Sequence, residues 1–175
     1  YDCIITHTAF QVRQYEWQYG IPSTILRPNY IIAGPEMLYA FNYAVVFDVL
    51  QRYATNSKVQ FHAHDDPEAW MALKSSTEMK GENLCIPKSP EGETWQWHMV
   101  DVRDVINLIE TCLNNENAYG KTFNIAGADV CDWSKVVPYI AQKTGRKIVE
   151  VEIPNLWQYS FDQSLLLETL GFVSE

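Results

Sequence analysis

The chain has 175 residues, 47% of them apolar and 20% charged, which excludes a disordered segment and supplies enough apolar surface for one domain with a real core. A net charge of −9 excludes the basic surface that nonspecific contact with nucleic acid or anionic lipid requires, because counterion release needs clustered Lys and Arg. No apolar run approaches the ~20 residues of a membrane span, and Cys3, Cys85, Cys112 and Cys131 are too scattered for a disulfide framework or zinc site, so reduced, partly buried thiols in a cytoplasmic protein are expected.

The opening, Tyr1-Asp2-Cys3, has neither a basic n-region nor an initiator Met, so it shows no signal peptide and is compatible with a fragment of a longer chain. From Ile4 to Tyr19 the residues Ile5, Phe10, Val12, Tyr15 and Tyr19 recur at helical spacing, and Gly20 is placed to stop that helix. Gly20 and Pro22 then give way to a strand from Ser23 to Ile32 with Thr24 to Leu26 as its β-prone core. An apolar strand between two helical patterns belongs in a parallel sheet covered on both faces, and its far end is a natural place for a ligand. Gly34-Pro35-Glu36 opens a second helix to about Tyr53 that is apolar nearly all round, as a core or interface element would be. Ser57 to His64 alternates apolar and polar, predicting a half-exposed strand, and Asp65-Asp66-Pro67-Glu68 starts a helix running to Lys80, where Gly81 ends it.

Leu84 to Ile86 reads as a short strand, Lys88 to Glu93 as a Pro/Gly loop, and Thr94 to Val100 as a strand entering Asp101. Val102, Val105, Ile106, Ile109, Cys112 and Leu113 form one helical stripe that ends in the polar run Asn114 to Asn117. Thr122 to Ala126 is a strand. Trp133, Val136, Val137, Ile140 and Ala141 give a further helix stopped by Gly145, in which Pro138 is cheap if the helix starts near Ser134 and implies a kink if it starts at Asp132. Ile148 to Ile153 is a strand ended by Pro154, and Ser164 to Leu170 a last short helix. There is no internal repeat.

The stretch Gly20-Ile21-Pro22-Ser23-Thr24-Ile25-Leu26-Arg27-Pro28, with Gly34-Pro35 after it, resembles the middle of the extended short-chain dehydrogenase/reductase family, the NAD(P)-dependent epimerases and dehydratases. Met99-Val100-Asp101-Val102-Arg103-Asp104-Val105 is similar to the family's strand-to-helix element, and Thr122-Phe123-Asn124-Ile125-Ala126-Gly127 to its late strand. The resemblance runs with gaps from about Tyr1 to Phe172. It implies an α/β chain: the C-terminal part of a Rossmann-like parallel sheet with a smaller α/β substrate-binding part, the N-terminal nucleotide-binding half being absent. Residues 1–175 are expected to form a single unit, with 1–56 and 98–146 on the Rossmann side and 57–97 and 147–175 on the substrate side.

By the same resemblance Tyr1 stands where the family has its catalytic tyrosine, but the lysine partner's position holds Ile5. The lysine lowers the tyrosine pKa from about 10 so that the hydroxyl can exchange a proton, and Ile5 cannot replace it; a plain terminal residue is the alternative role for Tyr1. The glycine-rich turn that brings backbone N–H groups to a pyrophosphate has no counterpart among the eight dispersed glycines. NAD or NADP is therefore expected in a full-length parent and none on this chain alone. Pro28 and Asn29 would lie beside the cofactor, and Arg27, Asn29 and Tyr30 beside the substrate. Turn, packing and ion-pair roles are the alternatives.

Trp95 and Trp97 share one strand face and present either a flat surface to a ligand or core packing; they occupy the strand where nucleotide-sugar relatives often carry a diphosphate-binding Arg. Asp101 and Asp104 read as helix-start carboxylates. His62, His64, Asp65 and Asp66 are the one metal-like grouping, better explained as a solvated strand face and a helix cap, so no metal is expected. The expected partner is a small molecule, a nucleotide sugar or another hydroxyl or carbonyl compound, with hydride transfer at a carbinol or carbonyl carbon as the parent reaction. A non-catalytic binding or interaction module is the alternative. An unpaired side of the Ser23 to Ile32 strand and the apolar Ile4 to Tyr19 helix predict a homodimer or pairing with an N-terminal segment.

Overall fold

A computed structural model of the chain describes residues 2–55, 82–153 and 157–174. The expected strand over 57–64 and helix over 65–80, with His62, His64, Asp65 and Asp66, lie outside them, as do Gly81, Pro154 and Tyr1. The chain divides into two compact units, the first made of residues 1–33, 98–129 and 160–175 and the second of 34–97 and 130–159.

In the first unit, α1 (Asp2–Tyr19) ends as the sequence predicts: Gly20 takes a left-handed φ of 66° and its N–H returns to the Glu16 carbonyl at 2.9 Å. Arg13 anchors this helix to the strand region beyond, donating to the Lys121 carbonyl (2.8 Å) and to Thr122 Oγ1 (3.0 Å) while pairing with Glu16 at 2.6 Å. The predicted strand from Ser23 to Ile32 is two strands. β1 (Ile25–Pro28) runs parallel to β5 (Thr122–Ile125), and β2 (Tyr30–Ile32) runs parallel to the end of β4 (Gln96–Asp101), with Tyr30 opposite Met99. Asn29 separates them because its backbone and its side chain are held by different strands, as described below.

After β4 the chain enters α3 (Val102–Cys112), whose N-cap is Asp101: Oδ1 accepts the Arg103 N–H at 2.8 Å. The helix is where the stripe predicts it, but its buried face is only partly the predicted one: Cys112 and Val105 of the stripe meet the core. Asp104, Leu108 and Cys112 are buried, while Ile106, Ile109 and Leu113 are exposed. The reason is the core they meet, which is built from Val100, Leu108, Ala118, Phe123, Ile125 and Leu166, with Leu26, Ile31 and Val105 packed against it. Leu108 fits that core and lay off the sequence stripe. The last helix, α5 (Ser164–Leu170), places Leu166 in the core and closes on Gly171 in the left-handed region.

In the second unit, the helix predicted from Pro35 to about Tyr53 is two elements, a 3-10 helix (Pro35–Phe41) and α2 (Tyr43–Thr55). Asn42 interrupts them with extended backbone (φ −74°, ψ 141°). Its side-chain oxygen accepts from Arg146 at 2.6 Å, and the next residue, Tyr43, donates its N–H to the Asn83 carbonyl at 2.9 Å. These long-range bonds outweigh one continuous helical ladder. β3 (Leu84–Lys88) pairs in parallel with β7 (Ile148–Glu152), and the first residues of β4 pair with β8 (Gln158–Tyr159), a strand the sequence does not announce. β6 (Val130–Asp132) leads into α4 (Trp133–Thr144), capped by Asp132 at one end and by left-handed Gly145 at the other. Pro138 therefore lies beyond the first turn, and the Ser134 carbonyl forgoes its usual helical donor; both residues are exposed. The strand ladders named here are all parallel, in keeping with the α/β expectation.

Among the described residues no helix is long and apolar enough to cross a membrane. Cys85, Cys112 and Cys131 are free thiols, and burial pushes Cys85 up to about 12 and Cys131 up to about 11.

Candidate functional site

Asn29 is the junction of the first unit. Its main-chain N–H donates to the Ile125 carbonyl at the end of β5 (2.9 Å), and its side-chain amide donates to the main-chain carbonyl of His98 in β4. One residue thus ties together the strands that β1 and β2 pair with separately. This is the carboxyl end of β1 and β5, the position at which open parallel sheets bind ligands.

Around it the backbone approaches closely. Gly127, two residues beyond β5, donates its N–H to the Met99 carbonyl, and a Cβ at that position would lie 2.7 Å from the same oxygen. Only glycine fits there without displacing backbone. The C-terminal segment closes the cluster: Gln163 accepts from the Ala126 N–H (2.9 Å) and donates to the Gly127 carbonyl (3.2 Å), and Ser174 donates to the Ala126 carbonyl (2.6 Å).

His98 is buried, and its Nδ1 accepts the main-chain N–H of Phe161 at 2.8 Å. An imidazole nitrogen that accepts carries no proton, so the neutral ring holds its proton on Nε2. Burial moves His98 below its ordinary value of 6.5, against the opposing pull of Asp129. His98 and Gln163 were not singled out by sequence reading. A histidine alternating with tryptophans along a strand was the available signal for the first; nothing local marks the second.

The other expected site residues of this unit differ in setting. Arg27 and Pro28 are exposed at the end of β1, and no ion pair of Arg27 is found among the described residues. Tyr30 is half-buried opposite Met99. Tyr1 and the Ile5 side chain lie outside the described structure, while the Ile5 backbone is within α1. A separate groove of about 300 Å³ opens between β1 and α3, lined by Pro22, Leu26, Ile109, Leu113 and Tyr119. It contains none of the expected site residues.

Trp95 and Trp97 belong to the second unit. They lie on one face, ring centroids 5.4 Å apart, as their alternation predicts. Trp95 is fully buried and Trp97 half-buried. Trp133 and Trp157 complete the cluster, Trp157 stacking on Trp95 at 4.6 Å with an interplanar angle of 8°.

The donors that Asn29 and its neighbours supply do not by themselves fit a dinucleotide diphosphate. The Asn29 amide is committed to His98, Pro28 has no N–H, and the close approach of Gly127 is filled by the Met99 carbonyl. Among the described residues no three His, Cys, Asp or Glu side chains gather as a metal-binding group.

Arranged in this way, the chain has the fold of part of a Rossmann-type α/β protein with parallel strands. It is similar to a short-chain dehydrogenase/reductase superfamily protein from Agrobacterium tumefaciens, solved with bound NAD, at a TM-score of 0.72 and 22% identity over 94% of this chain and 49% of that one. It is also similar to UDP-glucose 4-epimerase from Thermotoga maritima, solved with UDP-glucose (TM-score 0.57, 15% identity, 97% of this chain and 46% of that one). UDP-glucuronic acid 4-epimerase from Bacillus cereus in complex with NAD matches with a TM-score of 0.54 at 14% identity, over 93% of this chain and 43% of that one. The chain spans about half the length of these structures and shares their fold over that span. No family profile and no curated protein sequence matches it.

Proposed function

We propose that this chain is the substrate-binding, C-terminal portion of an NAD(P)-dependent epimerase, dehydratase or reductase-like protein, whose parent reaction moves a hydride at a carbinol or carbonyl carbon. The observation that supports this reading is the shared fold over 94% of the chain and only 49% of the NAD-bound Agrobacterium protein. In this reading Asn29 and Pro28 of the first unit border the cofactor contributed by the other portion, Arg27, Asn29 and Tyr30 of the same unit contact a small hydroxyl or carbonyl substrate, a nucleotide sugar among the candidates, and Trp95 and Trp97 of the second unit are substrate contacts proposed separately. Asn29 holds the strand ends in register rather than donating to a phosphate. Tyr1 would be the proton-exchanging hydroxyl only if another group replaced the lysine that Ile5 lacks.

Calorimetric titration and turnover assays test the proposal together. The chain alone is expected to bind neither NAD nor NADP near micromolar concentration, and to contribute to NAD(P)-dependent turnover only when a segment carrying the glycine-rich turn is added. Turnover by the purified chain that disappears on Tyr1→Phe would overturn the division of labour. Failure of any nucleotide-binding segment to associate with it would overturn the parent reaction.

A second reading is a non-catalytic binding module built on the same fold. Ile5 at the lysine position favours it. The reading frame upstream of Tyr1 discriminates the two: a strand followed by Gly-x-x-Gly-x-x-Gly supports the enzyme, and a nearby start codon the module.

A further inference from the structure

Residues 160–163 join β8 to α5 without regular structure, and none of them is buried. Beyond them Leu166 is fully buried in the core of the first unit, so the segment is a strap fixed at its far end and light in apolar contacts of its own. Segments of that kind open at a free energy well below that of the whole fold. What holds this one is a set of hydrogen bonds. Phe161 donates its N–H to His98 Nδ1 at 2.8 Å, and the Asp162 carbonyl accepts from the Asn124 side-chain amide at 3.2 Å. Gln163 accepts from the Ala126 N–H at 2.9 Å and donates to the Gly127 carbonyl at 3.2 Å.

The strap covers a strand edge. β1 takes the Lys121 and Ile125 carbonyls through the N–H groups of Ile25 and Asn29 (3.0 and 2.9 Å), so the alternate residues Thr122, Asn124 and Ala126 turn their main-chain groups to the opposite edge of β5. No strand pairs with that edge among the described residues. At Ala126 side chains stand in for one, Gln163 on the N–H and Ser174 on the carbonyl. An edge covered in this way is kept from pairing with another chain.

Of the bonds that seat the strap, the one at His98 depends on a titratable group. Neutral His98 accepts at Nδ1, whereas the imidazolium carries a proton on both nitrogens, and two N–H groups facing each other repel. Burial holds His98 below its ordinary 6.5, with Asp129 pulling the other way. Asp162, next to Phe161, has a carboxylate oxygen bonded to the N–H and hydroxyl of Ser164, and Asn29 brings a neutral amide to the His98 carbonyl. We infer that residues 160–163 are a pH-released strap: neutral His98 seats it through Phe161, and protonation at Nδ1 frees it to lift from β5 and uncover the edge from Asn124 to Gly127 while the core stays folded. The seat is complete above pH 6.5 and is lost as pH falls towards the lower folded value of His98. This device goes beyond the parent reaction proposed above and does not rest on it.

The test is amide hydrogen exchange of the full chain, followed by NMR and expressed as protection relative to the rate of an unstructured peptide. The Phe161 and Ala126 amides should be less protected than Leu108 in α3 and Ile125 in β5 at both pH 7.5 and pH 5. Their protection should fall about tenfold between those two values, the sense expected of a group whose folded pKa lies below its unfolded one. His98→Asn, whose Oδ1 accepts from Phe161 without titrating, should keep at pH 5 the protection seen at pH 7.5. Phe161→Pro, which lacks the donor, should give Ala126 at pH 7.5 the low protection that the wild type shows at pH 5. Phe161 and Ala126 amides as protected as Leu108 and Ile125 would mean that the strap opens only with the whole unit, and that result overturns the proposal. So does a wild-type protection that is flat across this range, a fall that persists in His98→Asn, or an Ala126 amide that stays protected in Phe161→Pro.

Discussion

The side-chain amide of Asn29 donates to the main-chain carbonyl of His98, 69 positions along the chain, while the Asn29 N–H donates to Ile125 at 2.9 Å. A single residue between β1 and β2 thereby joins β4 and β5. Asn29→Ala should lower stability by about 1 kcal/mol. Asn29→Asp should cost more, because it sets a carboxylate oxygen against the His98 carbonyl. Urea midpoints at neutral pH measure both; two wild-type midpoints would show that the amide contributes nothing to the junction.

His98 predicts a pH dependence. Its folded pKa is lowered below 6.5, chiefly by burial, with Asp129 opposing, so the unfolded chain takes up the proton first as pH falls. The stability it contributes is fully present above 6.5 and diminishes as pH drops from 6.5 towards the lower folded value, where Nδ1 protonation also removes the acceptor for Phe161 N–H. His98→Gln should flatten the slope of unfolding free energy between pH 7 and pH 5. A variant with the wild-type slope would assign the dependence to other groups.

Gly127→Ala should destabilise by about 1–3 kcal/mol, the usual cost of overpacking, because its Cβ would lie 2.7 Å from the Met99 carbonyl. Gly145→Ala tests a different cause. No atom lies within 4 Å of a Cβ there, but φ is +70°, so the cost is conformational and about 1–2 kcal/mol. Unfolding curves distinguish neither cause alone, but a crystal structure of Gly127→Ala should show β4 displaced from Gly127, and one of Gly145→Ala no displacement of neighbours.

Much of this architecture is legible because its signals are local. Gly20, Gly145 and Gly171 each follow a helical pattern and each takes the left-handed cap, and Asp101 and Asp132 cap the helices they precede. What could not be read depends on distant partners. The break at Asn42 comes from Arg146, the break at Asn29 from His98 and Ile125, and the buried face of α3 from a core that Phe123 and Leu166 complete. The same holds for the candidate site. The Trp95 and Trp97 pairing follows from strand alternation, whereas Trp133 and Trp157 join it only through the fold.

Asp101 separates a cap from a charge. The Arg103 guanidinium and N–H hold its carboxyl down at about 2, so its contribution is present above the ordinary 3.8 and is lost as pH falls through about 2. The pair is largely solvent-facing, which leaves the cap as the main effect. Asp101→Ala should cost about 1 kcal/mol at pH 7, and Asp101→Asn, which still caps, much less. Thermal unfolding of both variants at pH 7 and at pH 3 reads the difference; equal losses for Asn and Ala at pH 7 would make the ion pair dominant.

α1 exposes Phe10, Tyr15, Trp17 and Tyr19, with Trp17 72% exposed, and Phe10 meets Trp17 edge to face while Tyr15 stacks on Tyr19. So many aromatic rings on one helix exceed what isolated surface residues explain, and aromatic residues are enriched at interfaces. β1 adds an edge, since β5 is its one ladder partner among the described residues. The chain is therefore expected to be a dimer, or to pair with a separate segment, burying on the order of 1,000 Å² or more. Sedimentation at micromolar concentration should give a species heavier than 20.2 kDa, and Trp17→Glu should shift it towards monomer without unfolding the chain. A wild-type monomer whose β1 amides exchange slowly would mean that the helix face and the strand edge are covered within the chain itself.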